Sequence, residues 1–291
     1  MADCVPRVAV VTGASRGVGR GIAVGLGQCG MTVYVTGRGE GQRGATLFGQ
    51  PLPGAIDETA QAVTAAGGCG IAVVCDASDP KQVEALFRRV RRESGRLDIL
   101  HNNATFIHER LVDPGPFWSK PVELGDIIEV GLRSAYLASY YAAPLLVEGG
   151  RGLVTFSSSF GGNCYMHGPA YGAQKAGVDK LAADMAVDFE GTGVAAISLW
   201  LGAQRTDRLA RVAERMPELW SQYREQAEPP ELNGHIIYRL ATDPEVVALS
   251  GQVLITAELA ARYGFTVDGR PLISHRATLG PPRTQNPARV Q

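Results

Sequence analysis

Short apolar runs along this chain alternate with longer segments in which apolar residues recur at helical spacing. Val, Ile and Leu dominate the short runs, and glycine or a small polar residue ends most of them, which is typical of strands buried in a parallel sheet. Strands are predicted at 7–12, 32–36, 71–75, 97–101, 153–156 and 194–200. Strands separated by helices predict one α/β domain with a doubly wound parallel sheet flanked by helices.

The segments between the strands carry helical patterns. Helices are predicted at 17–27, 55–66, 81–94, within 121–148, at 171–190 and at 235–242. The third helix is expected to begin near Asp79 and Pro80, with proline at the first helical position. Within a domain at 1–279 we expect a glycine-rich insertion at about 39–54 and a lid of one or two helices at about 204–232. The polar tail at 280–291 is expected to be flexible.

Composition argues against several classes of function. With 291 residues, 45% of them hydrophobic, the chain can bury one large core, and a net charge of -1 argues against nucleic acid or an anionic membrane as a partner. Five cysteines without a Cys-x-x-Cys spacing predict reduced thiols rather than a disulfide framework or a metal site. We therefore expect a soluble, cytoplasmic protein that binds no metal, no membrane and no nucleic acid.

Tyr171 and Lys175 carry the candidate chemistry. Residues four apart lie on one face of a helix, and an ammonium beside a phenol is expected to lower the pKa of the phenol towards neutrality. Ser158, in the serine run near the fifth strand, would add a hydroxyl that holds a substrate carbonyl oxygen. Such a trio suits proton transfer at an oxygen while hydride moves at the attached carbon. The alternative is an ordinary amphipathic pair on a helix.

A glycine-rich turn follows the first strand. Residues 12–19 read Thr-Gly-Ala-Ser-Arg-Gly-Val-Gly and precede a predicted helix, so a pyrophosphate would lie at the helix N-terminus. Glycines also mark ordinary loops, but the strand and helix on either side favour a dinucleotide site. Arg38 follows the second strand, where an acid would bind the ribose of NAD, and Arg16 lies inside the turn. The two arginines favour the 2′-phosphate of NADP(H); the alternative is that both are solvated surface charges.

Four motifs occur in order: Thr-Gly-x-x-x-Gly-x-Gly at 12–19, Asn-Asn-Ala at 102–104, Ser158, and Tyr-x-x-x-Lys at 171–175. Together they resemble the short-chain dehydrogenase/reductase family over about residues 8–253. The resemblance implies a Rossmann-type fold with a last strand at 250–254. It also implies the catalytic residues Ser158, Tyr171 and Lys175. The serine is chosen by its Ser-x-x-Gly context and its 13-residue step to the tyrosine. Cofactor contacts are implied for Thr12, Gly13, Ser15, Arg16, Gly17, Val18, Gly19, Arg38, Asp76, Asn103, Ala104, Tyr171, Lys175, Gly202 and Thr206.

The chain departs from the family pattern at three positions. Thr105 replaces a glycine after Asn-Asn-Ala, Leu201 replaces the proline before Gly202, and Gly131 replaces a catalytic asparagine. In the family that asparagine is thought to hold a relay water through its main-chain carbonyl, so Gly131 either keeps the water or weakens the relay. Asp76 also has two readings, an adenine contact or a cap for the following helix.

These patterns predict an oxidoreductase that interconverts a carbonyl compound and an alcohol with NADP(H), with NAD(H) as the second option. Phe160, Met166, Trp200 and the lid predict a largely apolar small-molecule substrate. His167 is either a second acid/base or a polar wall residue. The family implies a homodimer or homotetramer built on the catalytic helix and its predecessor. The rival function is a non-catalytic NADP(H)-binding redox sensor or scaffold, which the three departures favour.

Overall fold

In the described part of the chain the main sheet has seven parallel strands. The computed structural model describes residues 7–39 and 46–290, so residues 40–45 of the predicted insertion lie outside the described residues. The strands are β1 (Val8–Val11), β2 (Thr32–Gly37), β3 (Thr46–Leu47), β4 (Gln50–Pro51), β5 (Cys69–Val74), β6 (Ile99–Asn102), β7 (Gly152–Ser158), β8 (Val194–Trp200) and β9 (Val253–Ile255). All but the antiparallel β3–β4 hairpin join the sheet, in the order β5-β2-β1-β6-β7-β8-β9. The seven predicted strands are confirmed.

The strand order places a crevice at the middle of the sheet. From β1 the chain moves outward to β2 and then β5, and it crosses back to β6 on the other side of β1. Ligands of such sheets bind at the carboxyl ends of the strands, where the winding changes direction. The register pairs Val11 of β1 with His101 of β6, so residues 12–14 and 102–104 leave the sheet side by side at this crevice.

Each segment with a predicted helical pattern contains a helix, and two further helices within 256–279 were not predicted. They are α1 (Gly17–Gln28), α2 (Ile56–Ala65), α3 (Pro80–Ser94), α4 (Asp126–Ile128), α5 (Ser134–Glu148), α6 (Pro169–Asp188), α7 (Asp207–Arg215), α8 (Pro217–Glu225), α9 (Glu231–Thr242), α10 (Thr256–Tyr263) and α11 (Arg276–Leu279). A π turn, Glu129–Arg133, interrupts the long helix predicted within 121–148. The N-cap of α3 is Asp79, whose carboxylate accepts from the Lys81 N–H at 2.9 Å.

Apolar side chains cover both faces of the sheet because successive residues of a strand point to opposite sides. Val33 and Val35 of β2 pack with α1 and α9, whereas Tyr34 between them packs on the side of α3 and α5. Burying a Val or Leu side chain contributes about 1.5 to 3 kcal/mol, so these two layers hold the strand ends, and thus the crevice, in place.

A small apolar cluster joins the insertion to the lid. Leu47 and Leu52 of the β3–β4 hairpin are buried against Val212 of α7, and partly buried residues from α8 and a neighbouring loop complete the group. We call this group the hairpin–lid cluster: Leu47, Phe48, Leu52, Val112, Val212, Met216 and Trp220. The described part of the insertion is therefore packed on the lid helices rather than standing apart from them.

The C-terminal segment lies along α6. The Asn163 side chain donates to the Pro281 carbonyl at 2.9 Å and accepts from Arg283 at 2.7 Å. Further along, Arg289 forms an ion pair with Glu190 just beyond the end of α6. In the described ranges, no helix has the length and hydropathy needed to cross a bilayer.

Candidate active site

The glycine turn lies directly against the Asn-Asn-Ala segment. Gly13 has a φ of 62° and Gly17 a φ of 54°, left-handed values that favour glycine. A Cβ on Gly13 would lie 2.7 Å from the Ala104 Cα, and one on Gly19 would lie 2.4 Å from the Asn103 amide nitrogen. Side chains at these glycines would therefore push apart the two walls of the crevice.

Thr12 and Asn103 tie these walls together. The Thr12 hydroxyl oxygen accepts from the N–H groups of Asn103 and Ala104, each at 3.0 Å. The Asn103 side-chain amide donates to the carbonyls of Thr12 and Gly13 at 3.1 and 3.0 Å. Both predicted cofactor residues thus use their side chains to fix the crevice rather than to face into it.

Helix α1 directs an uncapped N-terminus at the crevice. Among the described residues no side chain caps it, and its first turn holds no acid. The first N–H groups of a helix need partners, and the helix dipole favours an anion there. Val18 packs its side chain partly against the core, which leaves its main chain for a ligand. This end of the site therefore fits the pyrophosphate of a dinucleotide.

Three arginines converge beside the turn. Arg16 donates to the Gly54 carbonyl at 2.9 Å, while its buried Nε has no partner among the described residues. Partial burial lowers the pKa of Arg16, and the charge of Arg38 lowers it further. Burial and the charge of Arg16 lower the pKa of Arg208, against the opposing effect of Glu109. Like charges held together repel one another, so this group fits a phosphate.

Arg208 reaches the turn because the lid begins there. It is the second residue of α7, whose N-cap is Thr206. The Thr206 hydroxyl oxygen accepts from the Leu209 N–H at 3.3 Å, and its methyl group lies 3.7 Å from where a Cβ on Gly17 would stand. The lid helix therefore begins beside the glycine turn.

Ser15 and Asp76 were both predicted to contact the cofactor. A Cβ on Gly54 would meet the Ser15 carbonyl oxygen at 2.4 Å, so the insertion rests on the glycine turn. One Asp76 carboxylate oxygen accepts from the N–H and the hydroxyl of Ser78 at 3.0 and 2.6 Å. Because Asp79 caps α3, the capping reading of Asp76 is wrong. Its adenine contact stays a prediction.

Tyr171, Ser159 and Lys175 meet at the carboxyl end of β7. The hydroxyls of Ser159 and Tyr171 share a hydrogen bond of 2.9 Å. Lys175 Nζ lies 5.4 Å from the centre of the Tyr171 ring and donates to the Ser157 carbonyl at 2.9 Å. Because α6 begins at Pro169, the tyrosine and the lysine lie one helical turn apart, as their spacing predicts.

Ser158 does not reach the tyrosine. Side chains alternate along β7, so Ser158 faces the opposite side of the strand from its neighbours. Its hydroxyl donates to the Lys175 carbonyl at 3.4 Å. The 13-residue step thus selects a serine that faces the main chain of α6, and the hydroxyl beside Tyr171 belongs to Ser159 instead.

Burial sets the protonation of the site. It raises the pKa of the Tyr171 phenol, which the hydrogen bond to Ser159 partly offsets. Burial also lowers the pKa of Lys175 to about 8, although Asp179 acts to raise it. The sequence-based expectation of a lowered Tyr171 pKa is therefore wrong. Lys175 Nζ donates to the Ser157 carbonyl rather than to the phenol, and burial of the phenol raises its pKa. The phenol is protonated near neutral pH, which is the form that donates a proton.

A buried carboxylate lies one turn beyond Lys175. Asp179 is 6% exposed and accepts from the Ser198 hydroxyl at 2.6 Å and the Trp200 indole N–H at 3.0 Å. Burial raises the pKa of Asp179, while its hydrogen bonds and the charge of Lys175 lower it. The negative charge of Asp179 thus raises the pKa of Lys175 and partly offsets the effect of burial.

His167 and Trp220 form a wall beside Tyr171. The His167 ring stands edge-on to the Tyr171 ring, 5.0 Å between centroids, and stacks on Trp220 of the lid at 5.9 Å. With a φ of 58°, His167 holds a left-handed backbone conformation that is rare outside glycine. Burial lowers the pKa of His167 to about 4, and the charges of Lys120 and Lys175 add to this lowering. The imidazole is therefore neutral near neutral pH.

Phe160 and Trp200 lie in the core rather than on the pocket wall. Their rings pack 4.9 Å apart, and they are 3% and 1% exposed. Met166 is partly buried against the same cluster. The prediction that Phe160 and Trp200 line an apolar pocket is therefore wrong, since β8 directs Trp200 towards Asp179.

Gly202 and the loop after β8 pack against a buried acid. A Cβ on Gly202 would lie 2.7 Å from the Glu228 carboxylate. That carboxylate accepts from the Gln204 amide at 3.0 Å, and burial raises the pKa of Glu228 to about 7. Glu228 therefore fixes the loop that carries Gly202 and Thr206, both predicted cofactor contacts.

Comparison with known proteins assigns this geometry to a family. The short chain dehydrogenase family model matches residues 7–217. Dehydrogenase/reductase SDR family member 1 of Mus musculus is 42% identical over 278 residues, which cover 91% of this chain and 85% of the relative. The chain belongs to the short-chain dehydrogenase family. The Homo sapiens short-chain dehydrogenase of the same name is 41% identical with the same coverage.

Other relatives agree with this assignment. A 1-cyclohexenylcarbonyl-CoA reductase of Streptomyces collinus is 33% identical over 65% of this chain and 61% of its own length. A crystal structure from Xanthomonas campestris, assigned as a dehydrogenase, superposes with a TM-score of 0.72 at 25% identity and covers 92% of this chain and 95% of that one. Short-chain dehydrogenases are oxidoreductases that generally bind NAD(P)(H) and use small-molecule substrates.

Three residues of this short-chain dehydrogenase site are not found by sequence reasoning. Ser159 lies beside the chosen serine, and only the phase of β7 separates them. Asp179 could have been found, because it lies four residues after Lys175 on the same helix. Arg208 follows Thr206 by two residues, but nothing in the sequence shows that the lid folds back onto the glycine turn.

Proposed function

We propose that this protein interconverts a carbonyl compound and an alcohol with NADP(H). The observation that carries the proposal is the 2.9 Å hydrogen bond between the hydroxyls of Ser159 and Tyr171, with Lys175 one turn away. A dinucleotide fits the crevice because α1 offers free N–H groups there and the buried Nε of Arg16 has no partner among the described residues. The bound nicotinamide would supply or accept the hydride.

Each residue of the trio has a distinct role in reduction. The substrate carbonyl oxygen would accept from the hydroxyls of Ser159 and Tyr171, which hold it in place as negative charge develops. Tyr171 then donates its proton to that oxygen, and the Lys175 ammonium stabilises the phenolate left behind. In oxidation of an alcohol the same proton moves in the opposite direction.

The arginines support a preference for NADP(H) over NAD(H). Arg16 lies close enough to Arg38 and to Arg208 for their charges to interact, and no acid follows β2 directly to bind a ribose hydroxyl. A hydrogen bond to a charged group contributes about 1.5 to 3 kcal/mol. Solvent and salt screen the charges of these arginines, so we expect the three together to favour NADPH by about 1.5 to 3 kcal/mol. This corresponds to a roughly ten- to hundred-fold difference in affinity between NADPH and NADH.

The wall beside Tyr171 favours a substrate with a flat and largely apolar body. His167 is neutral and stacks on Trp220, so the pair offers an aromatic surface without a charge. Aromatic rings gain most from offset or edge contacts with other flat groups. We therefore expect aryl or cyclic ketones and aldehydes to be better substrates than small polar ones.

A panel of aryl, cyclic and aliphatic carbonyl compounds, followed by NADPH absorbance, tests the function. Tyr171→Phe should keep NADPH binding and lose roughly 100-fold or more in turnover, the scale of a positioned acid. The matched control is Tyr140→Phe on the exposed face of α5. Tight NADPH binding without turnover of any compound would favour the redox sensor instead. Near-normal turnover by Tyr171→Phe would overturn the role of Tyr171.

The exposed side of α5 supports a homodimer or homotetramer. Tyr136 and Tyr140 are 51% and 62% exposed, and their rings lie 6.4 Å apart on one face of the helix. Exposed aromatic residues on a rigid helix are typical of protein interfaces. Light scattering of native protein and of Tyr136→Glu tests this, because a monomeric native protein would contradict it.

A further inference from the structure

Where α6 packs against the π turn there is a buried polar group that has no role in the reaction described above. The side chain of Gln174, next to Lys175 in the chain, is only 2% exposed. Its amide nitrogen donates to the Gly131 carbonyl at 3.2 Å. Gly131 lies in the π turn between α4 and α5, a place where a helix ladder is irregular and often functional.

Gly131 and Gln174 fit each other as a pair. A Cβ on Gly131 would lie 2.9 Å from Cγ and 3.0 Å from Cδ of Gln174, and 3.0 Å from the Thr105 hydroxyl oxygen. Contacts this short would force the buried amide to move. The asparagine that the family resemblance implies at position 131 would therefore not fit while Gln174 holds its present place.

Two oxygens of this group lack a partner. A carbonyl only accepts, so the nitrogen of the Gln174 amide must face Gly131, and its Oε1 is left over. Neither this Oε1 nor the Thr105 hydroxyl, both buried, has a hydrogen-bond partner among the described residues. Leaving such an atom unsatisfied costs about 1 to 3 kcal/mol, and bound water is the usual partner of buried polar atoms.

Both side chains of this group belong to residues that are close in the chain to the contacts of Lys175. Lys175 Nζ donates to the Ser157 carbonyl, and the Ser157 hydroxyl donates to the Asn103 side chain at 3.3 Å. Thr105 follows Asn103 by two residues, and Gln174 precedes Lys175 by one. The unpartnered oxygens and the ammonium therefore belong to one region of the site.

We propose that Gln174 and Thr105 bind a buried water molecule beside Lys175, and that Gln174 thereby positions the proton relay of this protein. The inference rests on the proposed reaction. When Tyr171 has given its proton to the substrate oxygen, the phenolate regains one from the Lys175 ammonium. The neutral amine takes a proton from the water, which takes one from solvent, so each step moves one proton. The Gly131 carbonyl already accepts from the Gln174 amide, so we assign the water to Gln174 Oε1 and the Thr105 hydroxyl, which have no other partner among the described residues.

Thr105→Val tests the water because it removes a hydroxyl and keeps the shape. We expect NADPH affinity to stay unchanged, kcat to fall roughly tenfold, the equivalent of one lost hydrogen bond, and the solvent isotope effect on kcat to rise. The control is Thr64→Val, whose hydroxyl bonds locally on α2. A lower melting temperature with an unchanged isotope effect and pH profile would mean that the group is merely structural.

The water itself can be sought in a crystal structure of the native protein with NADPH, at about 1.5 Å resolution. A water within hydrogen-bond distance of Gln174 Oε1 and of the Thr105 hydroxyl is expected, and a dry site would overturn the proposal. This readout needs no turnover. A native protein that reduces no compound but holds the water would sink the proposed function and leave the water site standing.

A pair of substitutions tests the fit of Gly131 to Gln174. Gly131→Asn alone should lower the melting temperature by roughly 3 to 8 °C, because it overpacks a buried site. Gly131→Asn combined with Gln174→Ser should recover most of that loss, since the shorter side chain makes room. If Gly131→Asn alone is as stable as the native protein, the two residues do not form one unit.

Discussion

Two neighbouring serines at the end of β7 have hydroxyls in separate environments. The Ser159 hydroxyl meets Tyr171, and the Ser158 hydroxyl meets the main chain of α6. Removing a donor that holds a developing oxyanion costs roughly 100- to 1000-fold in rate. We therefore expect Ser159→Ala to lower kcat/KM about 100-fold and Ser158→Ala to lower it by a few-fold only. Steady-state kinetics with one ketone checks both, and the reverse ranking would restore Ser158 as the catalytic serine.

The charge of Asp179 governs the pH range in which Lys175 stays protonated. The pKa of Lys175 is about 8, so the ammonium is present below that pH and lost above it. Reduction should therefore slow as pH rises through about 8. In Asp179→Asn the pKa of Lys175 falls further, and the decline should begin at lower pH. Asp184→Asn, which breaks a surface ion pair on the same helix, is the control. Identical pH profiles for all three proteins would contradict the role of Asp179.

The sequence indicates which residue types form the site but not which way they face. Tyr171 and Lys175 could be paired in advance because helical spacing is fixed at 3.6 residues per turn. In the run 157–159 every residue is serine, so nothing in the composition reveals the phase of the strand. Trp200 shows the same limit: an aromatic residue near the end of a strand was expected in the pocket, and the strand turns it into the core.

The lid carries a cationic side chain to the phosphate end of the site. Because Arg208 lies beside Arg16, Arg208→Leu should raise the Kd of NADPH roughly tenfold and affect NADH less, in line with the loss of one screened charge contact. The control is Arg211→Leu, one turn along α7, whose side chain donates to the Pro51 carbonyl at 3.0 Å. Fluorescence titration of both cofactors checks this. An equal loss for NADPH and NADH would show that Arg208 does not contact the 2′-phosphate.

Element by element, local signals predicted more than distant ones. Asp79 and Pro80 marked the start of α3 because capping involves only the next few residues. The short strands β3 and β4 were not predicted, and neither was their packing on Val212, about 160 residues further along the chain. Contacts at that separation depend on how the whole chain folds, and no periodicity records them. The same reason hides Arg208 from sequence reasoning.

Over the whole molecule, Glu228 should make stability depend on pH. Its folded-state pKa of about 7 lies above the ordinary value of 4.5, so the folded protein holds this proton more tightly than the unfolded chain. The contribution is full below about pH 4.5 and is lost as pH rises through about 7, on the order of 3 kcal/mol at most.

Glu228→Gln isolates this effect because it keeps an acceptor for Gln204 without the charge. We expect the variant to unfold like the native protein at pH 4.5 and to be more stable at pH 8, measured by urea unfolding. The matched control is Glu225→Gln on the exposed surface of α8. Equal gains for the two variants at pH 8 would show that net charge, not burial, is responsible.

Through the hairpin–lid cluster, the β3–β4 hairpin and the lid helices are packed together and should move as one unit. Just after the hairpin, Gly54 rests on Ser15 of the glycine turn, and Trp220 of the same cluster stacks on His167 beside Tyr171. If the lid must open for product to leave, the hairpin opens with it, so one slow step governs every turnover. Ketones of very different intrinsic reactivity should then share one maximal rate and differ only in KM. A burst of NADPH consumption in the first turnover would show that hydride transfer is complete before the lid opens to release product.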